Sequence, residues 1–288
     1  MKSRLFLPCI LLLCMSGAPR AQIATEPSFL LKHVGPNVWA AISNPKSKMP
    51  AGANTGFVIG DDGVAVIDTS ASADADGNFG NETAKELLAA IRTLTKLPVR
   101  YVINTHYHMD HTGANAVFAD AGAIVLAHRN VRGWLHSENL RMFGKDIRPQ
   151  QKAFIEALVP PTVTFDQPVD LYLGSRPIRV RPFPGHTGGD VVVMIPDAKV
   201  LFAGDLFWRN MLPNLIDAST QPWIDTLDAL ARDEPDATFV PGHGDVGNAQ
   251  DVMAFREYLA TLRKLVSDAH ALRKSGEALA DAVMPGTQ

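Results

Sequence analysis

Cysteine is nearly absent from this chain of 288 residues, and its two cysteines, Cys9 and Cys14, both lie close to the N-terminus. We expect that part of the chain to be removed, which would leave a mature protein without thiols. Disulfide bonds are then excluded, and the core alone must stabilise the fold. Any metal ligands must be His, Asp or Glu.

The N-terminus also lacks an apolar run long enough to cross a bilayer. A positive start, an apolar run over residues 5–15 and small residues after it form the pattern of a secretory signal peptide. We predict a signal peptide over residues 1–21 with cleavage after Ala21, and hence a periplasmic or secreted protein. The alternatives are lipid attachment at Cys14 and a buried N-terminal helix.

Low-complexity tracts, long charge blocks and a basic stripe are absent as well. Hydrophobic residues make up 46% of the chain and charged residues 20%, and the formal net charge is -3. This composition predicts an ordinary globular protein and argues against nucleic acid as a partner. Residues 22–288 are enough for one large domain or two small ones, and we expect no membrane association after signal cleavage.

Apolar periodicity divides the rest of the chain into two halves of similar plan, each with strands followed by helices. Strands are predicted over 37–42, 55–60, 64–69, 99–104, 123–128, 163–165, 178–183, 191–195, 200–203 and 238–240. Asn81 is predicted to cap a helix whose apolar stripe ends at Leu94, and residues 70–80 to form a loop. This order predicts an α/β (α+β) fold in which two sheets face each other with helices outside, as four layers of a single domain.

The densest polar cluster follows the predicted strand over 99–104. His106, His108, Asp110 and His111 lie within six positions of one another. Packing does not need such a cluster, and its side chains would be costly to bury unpaired. Imidazole nitrogens and carboxylate oxygens are ligands that a divalent metal accepts, so the cluster predicts a metal site.

Three further motifs place a ligand-type residue beside glycine just after an apolar run. They contain His186, Asp205 and His243. Glycine allows close backbone approach, and the end of a strand holds a side chain in a fixed direction. The four histidines outside these motifs are predicted to be surface or packing residues: His33, His128, His136 and His270.

These motifs resemble the metallo-β-lactamase superfamily. The pattern His-x-His-x-Asp-His over 106–111 is followed, in the family's order, by His186, Asp205 and His243, and Asp68 matches a position that braces the metal loop. The resemblance extends over nearly all of the chain after the signal segment. It implies an αββα sandwich, a metallo-β-lactamase-fold hydrolase domain, with a dinuclear site at one edge of its sheets.

The resemblance also implies which residues bind each metal. It assigns His106, His108 and His186 to the first metal, Asp110, His111 and His243 to the second, and Asp205 to both as a bridge. Five imidazoles with two carboxylates favour two Zn²⁺ ions per chain, whereas iron or manganese would suit a set richer in carboxylates. The di-iron branch of the superfamily often has Glu in place of His108.

Such a centre implies hydrolysis by a metal-bound hydroxide, with Asp110 and Asp205 as the catalytic carboxylates. Asp110 is expected to orient the nucleophile or accept its proton. Asn104, Thr105 and Asp68 are predicted to brace the ligands, although Asp68 is also explained as the turn carboxylate of a strand end.

Sequence motifs specify the substrate less closely. Trp208 stands where one penicillin-hydrolysing branch has a lysine that holds the substrate carboxylate. Arg209 is predicted to hold such a carboxylate instead, or else to be a solvated loop arginine. Trp208 with Met211 and Leu212 is predicted to form an apolar wall of the site, with a place in the core as the alternative. The loop over 43–54 is expected to arch over the metals.

The sequence therefore predicts an exported dinuclear zinc hydrolase that opens a small ester, lactone or lactam. The alternative is a metal-binding accessory or relay protein of a periplasmic redox pathway with little turnover. Some exported relatives of that kind share the phrase Gly52-Ala53-Asn54-x-Gly56 and a run similar to Tyr101–His106.

Overall fold

A computed structural model describes residues 26–283, so the predicted signal peptide over 1–21 lies outside the described residues. Fourteen strands are present in this part of the chain. They are β1 (Phe29–Gly35), β2 (Val38–Ser43), β3 (Thr55–Ile59), β4 (Val64–Ile67), β5 (Ser72–Ala73), β6 (Phe79–Gly80), β7 (Val99–Ile103), β8 (Ile124–His128), β9 (Val163–Phe165), β10 (Val169–Leu173), β11 (Arg176–Pro182), β12 (Val191–Ile195), β13 (Val200–Trp208) and β14 (Thr238–His243).

Nine α-helices accompany the strands over residues 26–283. They are α1 (Glu82–Leu94), α2 (Met109–Thr112), α3 (Asn115–Asp120), α4 (Arg129–Trp134), α5 (Ser137–Phe143), α6 (Pro149–Glu156), α7 (Thr220–Asp233), α8 (Ala249–Ala271) and α9 (Glu277–Val283). No helix over these residues combines the length and apolar character that a bilayer span requires.

Two large sheets carry the fold. The first has seven strands in the order β1-β2-β3-β4-β7-β8-β9, antiparallel up to β4 and parallel from β4 onward. The second has five strands in the order β10-β11-β12-β13-β14, and only its last pair is parallel. Strands β5 and β6 pair as a small ribbon within the segment that was predicted to be a loop.

Three hydrophobic cores separate four layers, which confirms the predicted sandwich. The first core packs α1 and α3 against one face of the seven-stranded sheet, through residues such as Leu87 and Phe118. The second core lies between the sheets and includes Ile103 and Val193. The third packs α7 and α8 against the five-stranded sheet around Trp223.

Helix α1 shows how closely periodicity predicts packing here. Leu87 and Ile91 of its predicted stripe are buried, but Leu94 at its last position is 47% exposed. Asn81 occupies the N-cap position, as predicted, yet its side chain makes no capping hydrogen bond. The helix is therefore stabilised by its apolar face and not by its cap.

The parallel strands bring the polar motifs to one edge. Asp68 directly follows β4, Asn104 directly follows β7, and His243 ends β14. Asp205, in contrast, lies inside β13 and not after it, because that strand continues to Trp208. The register of β13 against β14 shifts around Gly204, whose φ is 51°. The regular pairing of β13 with β14 is therefore interrupted at Asp205.

Candidate metal centre

Two groups of ligand-type side chains meet at this edge. His106, His108 and His186, together with Asp205, form the first group. Asp110, His111 and His243 form the second. Within each group, one ligand atom from every residue lies within 4.8 Å of the others. Among the residues that the structure describes, none of the remaining four histidines joins such a group.

The local backbone at each loop or strand end determines where its ligand side chains point. The turn after β7 carries His106, and α2 follows at once, so that Asp110 and His111 project from its single turn. His186 lies in a short loop before β12, where a Cβ on Gly185 would come within 2.4 Å of the Leu206 side chain. The glycine beside His186 thus allows this loop to pack directly on the second sheet.

Asp205 lies between the two groups and presents one carboxylate oxygen to each. Its Oδ2 is 3.2 Å from Nε2 of His186 and 3.8 Å from Nε2 of His106. Its Oδ1 is 3.0 Å from Nε2 of His111 and 3.4 Å from Nε2 of His243. This arrangement is what a carboxylate needs in order to bridge two cations.

The electrostatic character of the two groups differs. Burial lowers the pKa of His186 to about 3 and holds the pKa of His106 well below its usual range. Burial also opposes the charged form of His243, but Asp205 and Asp110 outweigh it and raise the His243 pKa to about 9. The first group therefore offers neutral imidazoles, and the second favours positive charge among its carboxylates.

The carboxylates themselves are ionised. Burial alone would raise the pKa of Asp110, but His111 and His243 lower it to about 2. The pKa of Asp205 lies well below its usual range, because the surrounding imidazoles outweigh its desolvation. Metal binding requires neutral imidazoles and ionised carboxylates, and the first group already meets this condition. The pKa values of His111 and His243 are raised by the neighbouring carboxylates, so these two imidazoles must lose a proton when a metal binds.

Several buried polar atoms at this place have no hydrogen-bond partner in the protein. They are Nε2 of His106, His108, His111 and His243, Nδ1 of His186 and Oδ1 of Asp205. Unsatisfied buried polar atoms are rare in folded proteins, and each needs an explanation. Nε2 of His106, His111 and His243 faces a carboxylate oxygen of Asp205 at 3.0 to 3.8 Å, so these residues fit a pair of bound metal ions.

Asp68 contacts the residues that it was predicted to brace. It accepts hydrogen bonds from the Thr105 backbone N–H and hydroxyl, both at 2.7 Å, and its Oδ2 lies 2.8 Å from Nδ1 of His111. Asn104 does not touch a ligand directly. Its side chain forms a double amide pair with Asn115 at 2.9 Å, which fixes the backbone just before the ligand run.

Trp208 lies beside the centre, whereas the Arg209 guanidinium is engaged elsewhere. The Trp208 ring stacks on His243 with a centroid distance of 4.1 Å. Arg209 donates to the Val246 carbonyl and, at 3.2 Å, to Asp251. Its predicted role in holding a substrate carboxylate is therefore not favoured by this placement, because the guanidinium already has a carboxylate partner.

The predicted apolar wall is divided between core and surface. Trp208 is buried, while Met211 is 51% exposed and Leu212 is 73% exposed. The three residues line a cavity of about 510 Å³ together with Arg209 and part of α8. The wall prediction and the core alternative each describe part of this arrangement.

Sequence patterns missed Asp217, which lies near the first group. Its Oδ2 is 3.7 Å from Nε2 of His108, and the carboxylate is held by the Tyr107 hydroxyl and by Arg141. A carboxylate behind a ligating imidazole fixes the ring orientation in many metal sites. Asp217 lies in an irregular segment without a motif, so no sequence signal pointed to it.

Comparison with known proteins agrees with this geometry. A sequence model of the family described as the metallo-beta-lactamase superfamily matches residues 49–243, which is more than half of the chain. The chain belongs to this superfamily. All seven residues of the two candidate metal-binding groups lie within the matched range.

Individual relatives are similar but distant. The chain is 26% identical to a hydroxyacylglutathione hydrolase from Methylococcus capsulatus over 186 residues, which cover 64% of each protein, so it spans less than two thirds of that relative. It is 26% identical to a probable metallo-hydrolase, YqgX, from Bacillus subtilis over 72% of this chain and 95% of that one. A metallo-beta-lactamase structure from Pontibacter korlensis superposes with a TM-score of 0.63 at 25% identity, over 81% of this chain and 99% of that chain.

Proposed function

We propose that the protein is an exported dinuclear zinc hydrolase that opens a small ester, lactone or lactam. The observation that carries this proposal is the position of Asp205, with one oxygen toward each ligand group. Two zinc ions bound there supply a Lewis acid for the substrate carbonyl and a nucleophile from water at neutral pH. The absence of thiols from the groups and their five imidazoles favour zinc.

Asp110 is the carboxylate placed to accept a proton from the attacking water. Its side chain is 33% exposed, in contrast to the buried Asp205, and its Oδ2 lies 3.3 Å from Nε2 of His243. An ionised carboxylate at the solvent side of the centre can orient an attacking water and accept its proton. Asp205 remains enclosed by imidazoles and is suited to holding the two groups together.

Two kinds of observation bear on the substrate: the activities named for related proteins, and the residues beside the metal centre. A thioester is the substrate class suggested by the hydroxyacylglutathione hydrolase relative, and a lactam by the metallo-beta-lactamase neighbour. Trp208 stands on β13 three residues after Asp205, where it presents an aromatic ring and no cation. This favours an uncharged or apolar group of the substrate beside His243. An exported address fits an ester, lactone or lactam better than a cytosolic thioester.

The test uses the mature protein loaded with zinc. Metal content is measured by mass spectrometry, and turnover is measured on a panel of chromogenic esters, lactones, lactams and thioesters. We expect two zinc ions per chain and turnover of at least one class, which His106→Ala abolishes. Two bound zinc ions without turnover of any class above that of His106→Ala would contradict the hydrolase proposal.

The second candidate function is a metal-binding accessory or relay protein of a periplasmic redox pathway. It is favoured by the phrase around Asn54, which resembles that of exported relatives associated with quinoprotein systems. Two bound metals without turnover would support this function.

N-terminal sequencing of protein from the periplasmic fraction tests export itself, and we expect a mature chain that starts at Gln22.

A further inference from the structure

We propose that two buried asparagines, Asn54 and Asn139, are positioning residues that each hold one ligand group in place. Asn54 serves the second group through the loop of His243, and Asn139 serves the first group through the turn of His108. This inference rests on the metal centre of the proposed function. It requires only that the groups bind metal, and does not depend on which substrate is hydrolysed.

Asn54 joins the two halves of the sandwich at the His243 loop. Its side-chain amide donates to the carbonyls of Pro241, at 2.9 Å, and Gly244, at 2.8 Å. These carbonyls lie on either side of His243. The Asn54 backbone N–H also donates to the Gly242 carbonyl at 2.8 Å. The first half of the chain therefore fixes the backbone on both sides of a ligand from the second half.

Both ends of the Asn54 side-chain amide are engaged in hydrogen bonds. Its Oδ1 accepts from the Ser43 backbone N–H at 3.0 Å, and both amide protons are used by the His243 loop. The residue is buried, with 3% of its surface exposed. Two carbonyl acceptors that converge on one NH₂ group cannot be satisfied by a carboxylate, so the site requires an amide.

Asn139 makes an equivalent contact at the first group, from helix α5. Its Oδ1 accepts from the Met109 backbone N–H at 3.0 Å, and its amide donates to the Tyr107 carbonyl at 2.9 Å. Tyr107 and Met109 are the two neighbours of His108 in the chain. The second amide proton goes to the Leu135 carbonyl in the helical layer at 2.6 Å. Asn139 is fully buried, so water does not replace these bonds.

Metal binding depends on precise placement of the ligands. A ligand must lie within a fraction of an ångström of its productive position, and its supporting contacts supply that precision. Nδ1 of His108 lies 3.0 Å from Nε2 of His186, which is another candidate ligand, and Nε2 of His243 has no hydrogen-bond partner, so neither contact ties the local backbone to the rest of the fold. The two asparagines fix the backbone instead. Because Asn54 and Asn139 contact different loops, the loss of either should affect one group more than the other.

The test measures metal affinity separately at each group, without a substrate. In a His243→Ala background the first group alone is intact, and in a His106→Ala background the second group alone is intact. Asn54→Ala and Asn139→Ala are introduced into each background. Co²⁺ affinity is measured by competition with a chelator, and the d–d absorption of the bound ion reports the ligand geometry.

We expect a crossed result. Asn139→Ala should weaken Co²⁺ binding by about 10- to 100-fold in the His243→Ala background, which is the usual effect of losing an outer contact to a metal ligand. Asn54→Ala should do so in the His106→Ala background. Each variant should weaken Co²⁺ binding less in the other background, and the absorption spectrum should change most where affinity falls most.

Asn44→Ala is the matched control. Asn44 is as deeply buried, at 1% exposure, and its side chain hydrogen-bonds Pro27 at 2.9 Å and Lys46 at 3.1 Å, away from both groups. Its loss should lower thermal stability without affecting either affinity. Where an alanine variant does not fold, Asn54→Ser and Asn139→Ser replace it. Equal loss in both backgrounds, or no greater loss than for Asn44→Ala, would overturn the inference, whereas absence of turnover would contradict only the hydrolase function.

Discussion

The carboxylate of Asp68 connects the two ligand groups, because its Oδ2 lies 2.8 Å from Nδ1 of His111. The same carboxylate accepts two hydrogen bonds from Thr105, the residue that precedes His106. A ligand of the second group and the backbone entering the first are therefore held by one buried side chain. Asp68 adopts a left-handed conformation with φ of 56°, which Asp and Asn tolerate better than most residues.

We predict that Asp68→Asn reduces metal binding at the second group. Asparagine keeps the size of the side chain and the left-handed backbone, but its NH₂ group cannot accept from His111 Nδ1–H or the Thr105 hydroxyl. His111 then loses the contact that orients its ring. The expected loss of affinity is about 10- to 100-fold for the ion at the second group, measured by chelator competition.

Asp74→Asn provides the comparison for Asp68→Asn. Asp74 also accepts hydrogen bonds within a loop, from Asn78 at 2.8 Å and from the Asp76 backbone at 2.9 Å, but it contacts no ligand. Its substitution should leave the metal content at two ions per chain. Full metal content in Asp68→Asn as well would show that Asp68 is only a turn residue.

Removal of individual ligands should separate the two metals. His106→Ala should release mainly the first metal, because the first group then keeps two imidazoles. Asp205→Ala should release mainly the second, since the ligands left to it include Asp110, whose side chain is 33% exposed. Metal content after dialysis tests both. Two retained ions with full activity in either variant would contradict the ligand assignment.

Gly242 should not tolerate even one methyl group. An added Cβ would lie 1.9 Å from Oδ1 of Asp205, the oxygen that faces the second group. We predict that Gly242→Ala displaces this carboxylate and lowers the metal affinity mainly at the second group, which Oδ1 faces. Gly133→Ala is the control, because a Cβ there meets nothing within 4 Å. Unchanged metal content in Gly242→Ala would mean that Asp205 does not bridge.

Most of the central strands and all seven proposed ligand residues could be predicted from local patterns. Strands with strong apolar runs, such as Val191–Ile195, were predicted with the bounds that the structure shows. Strands β1 and β10 were not predicted, since both have several exposed side chains and thus no continuous apolar signal. An edge strand is defined by pairing across the sheet, which local composition does not record.

Contacts between segments that are distant in the chain could not be predicted either, because local composition does not record them. Asn54 bonds the His243 loop across 187 and 190 positions of the chain, and Asn139 bonds Tyr107 across 32. An isolated asparagine in a sequence is typical of turns and caps. Only the packing of the two halves turns these amides into supports for ligands. Asp217 is another residue whose place near a ligand, His108, follows only from the packing of segments that are distant in the chain.

Trp208 allows the substrate side of the centre to be tested apart from the metals. Its ring stacks on His243, and Trp208 also lines a cavity of about 510 Å³ with Met211 and Leu212. We predict that this cavity receives an apolar substituent of the substrate. In excess zinc, we predict that Trp208→Ala raises KM about tenfold for substrates with an apolar substituent, which corresponds to about 1.4 kcal/mol of lost burial. Trp208→Phe should retain most of the contact.

The two kinetic constants distinguish a substrate contact from a metal contact. If Trp208 serves only as a wall, kcat in excess zinc should change little. The variant then loses the same binding energy in the bound substrate and in the transition state, so the barrier between them is unchanged. A substrate without the apolar substituent should show no change in KM. A fall in kcat with KM unchanged would instead mean that the ring acts through His243, and the wall prediction would then be wrong.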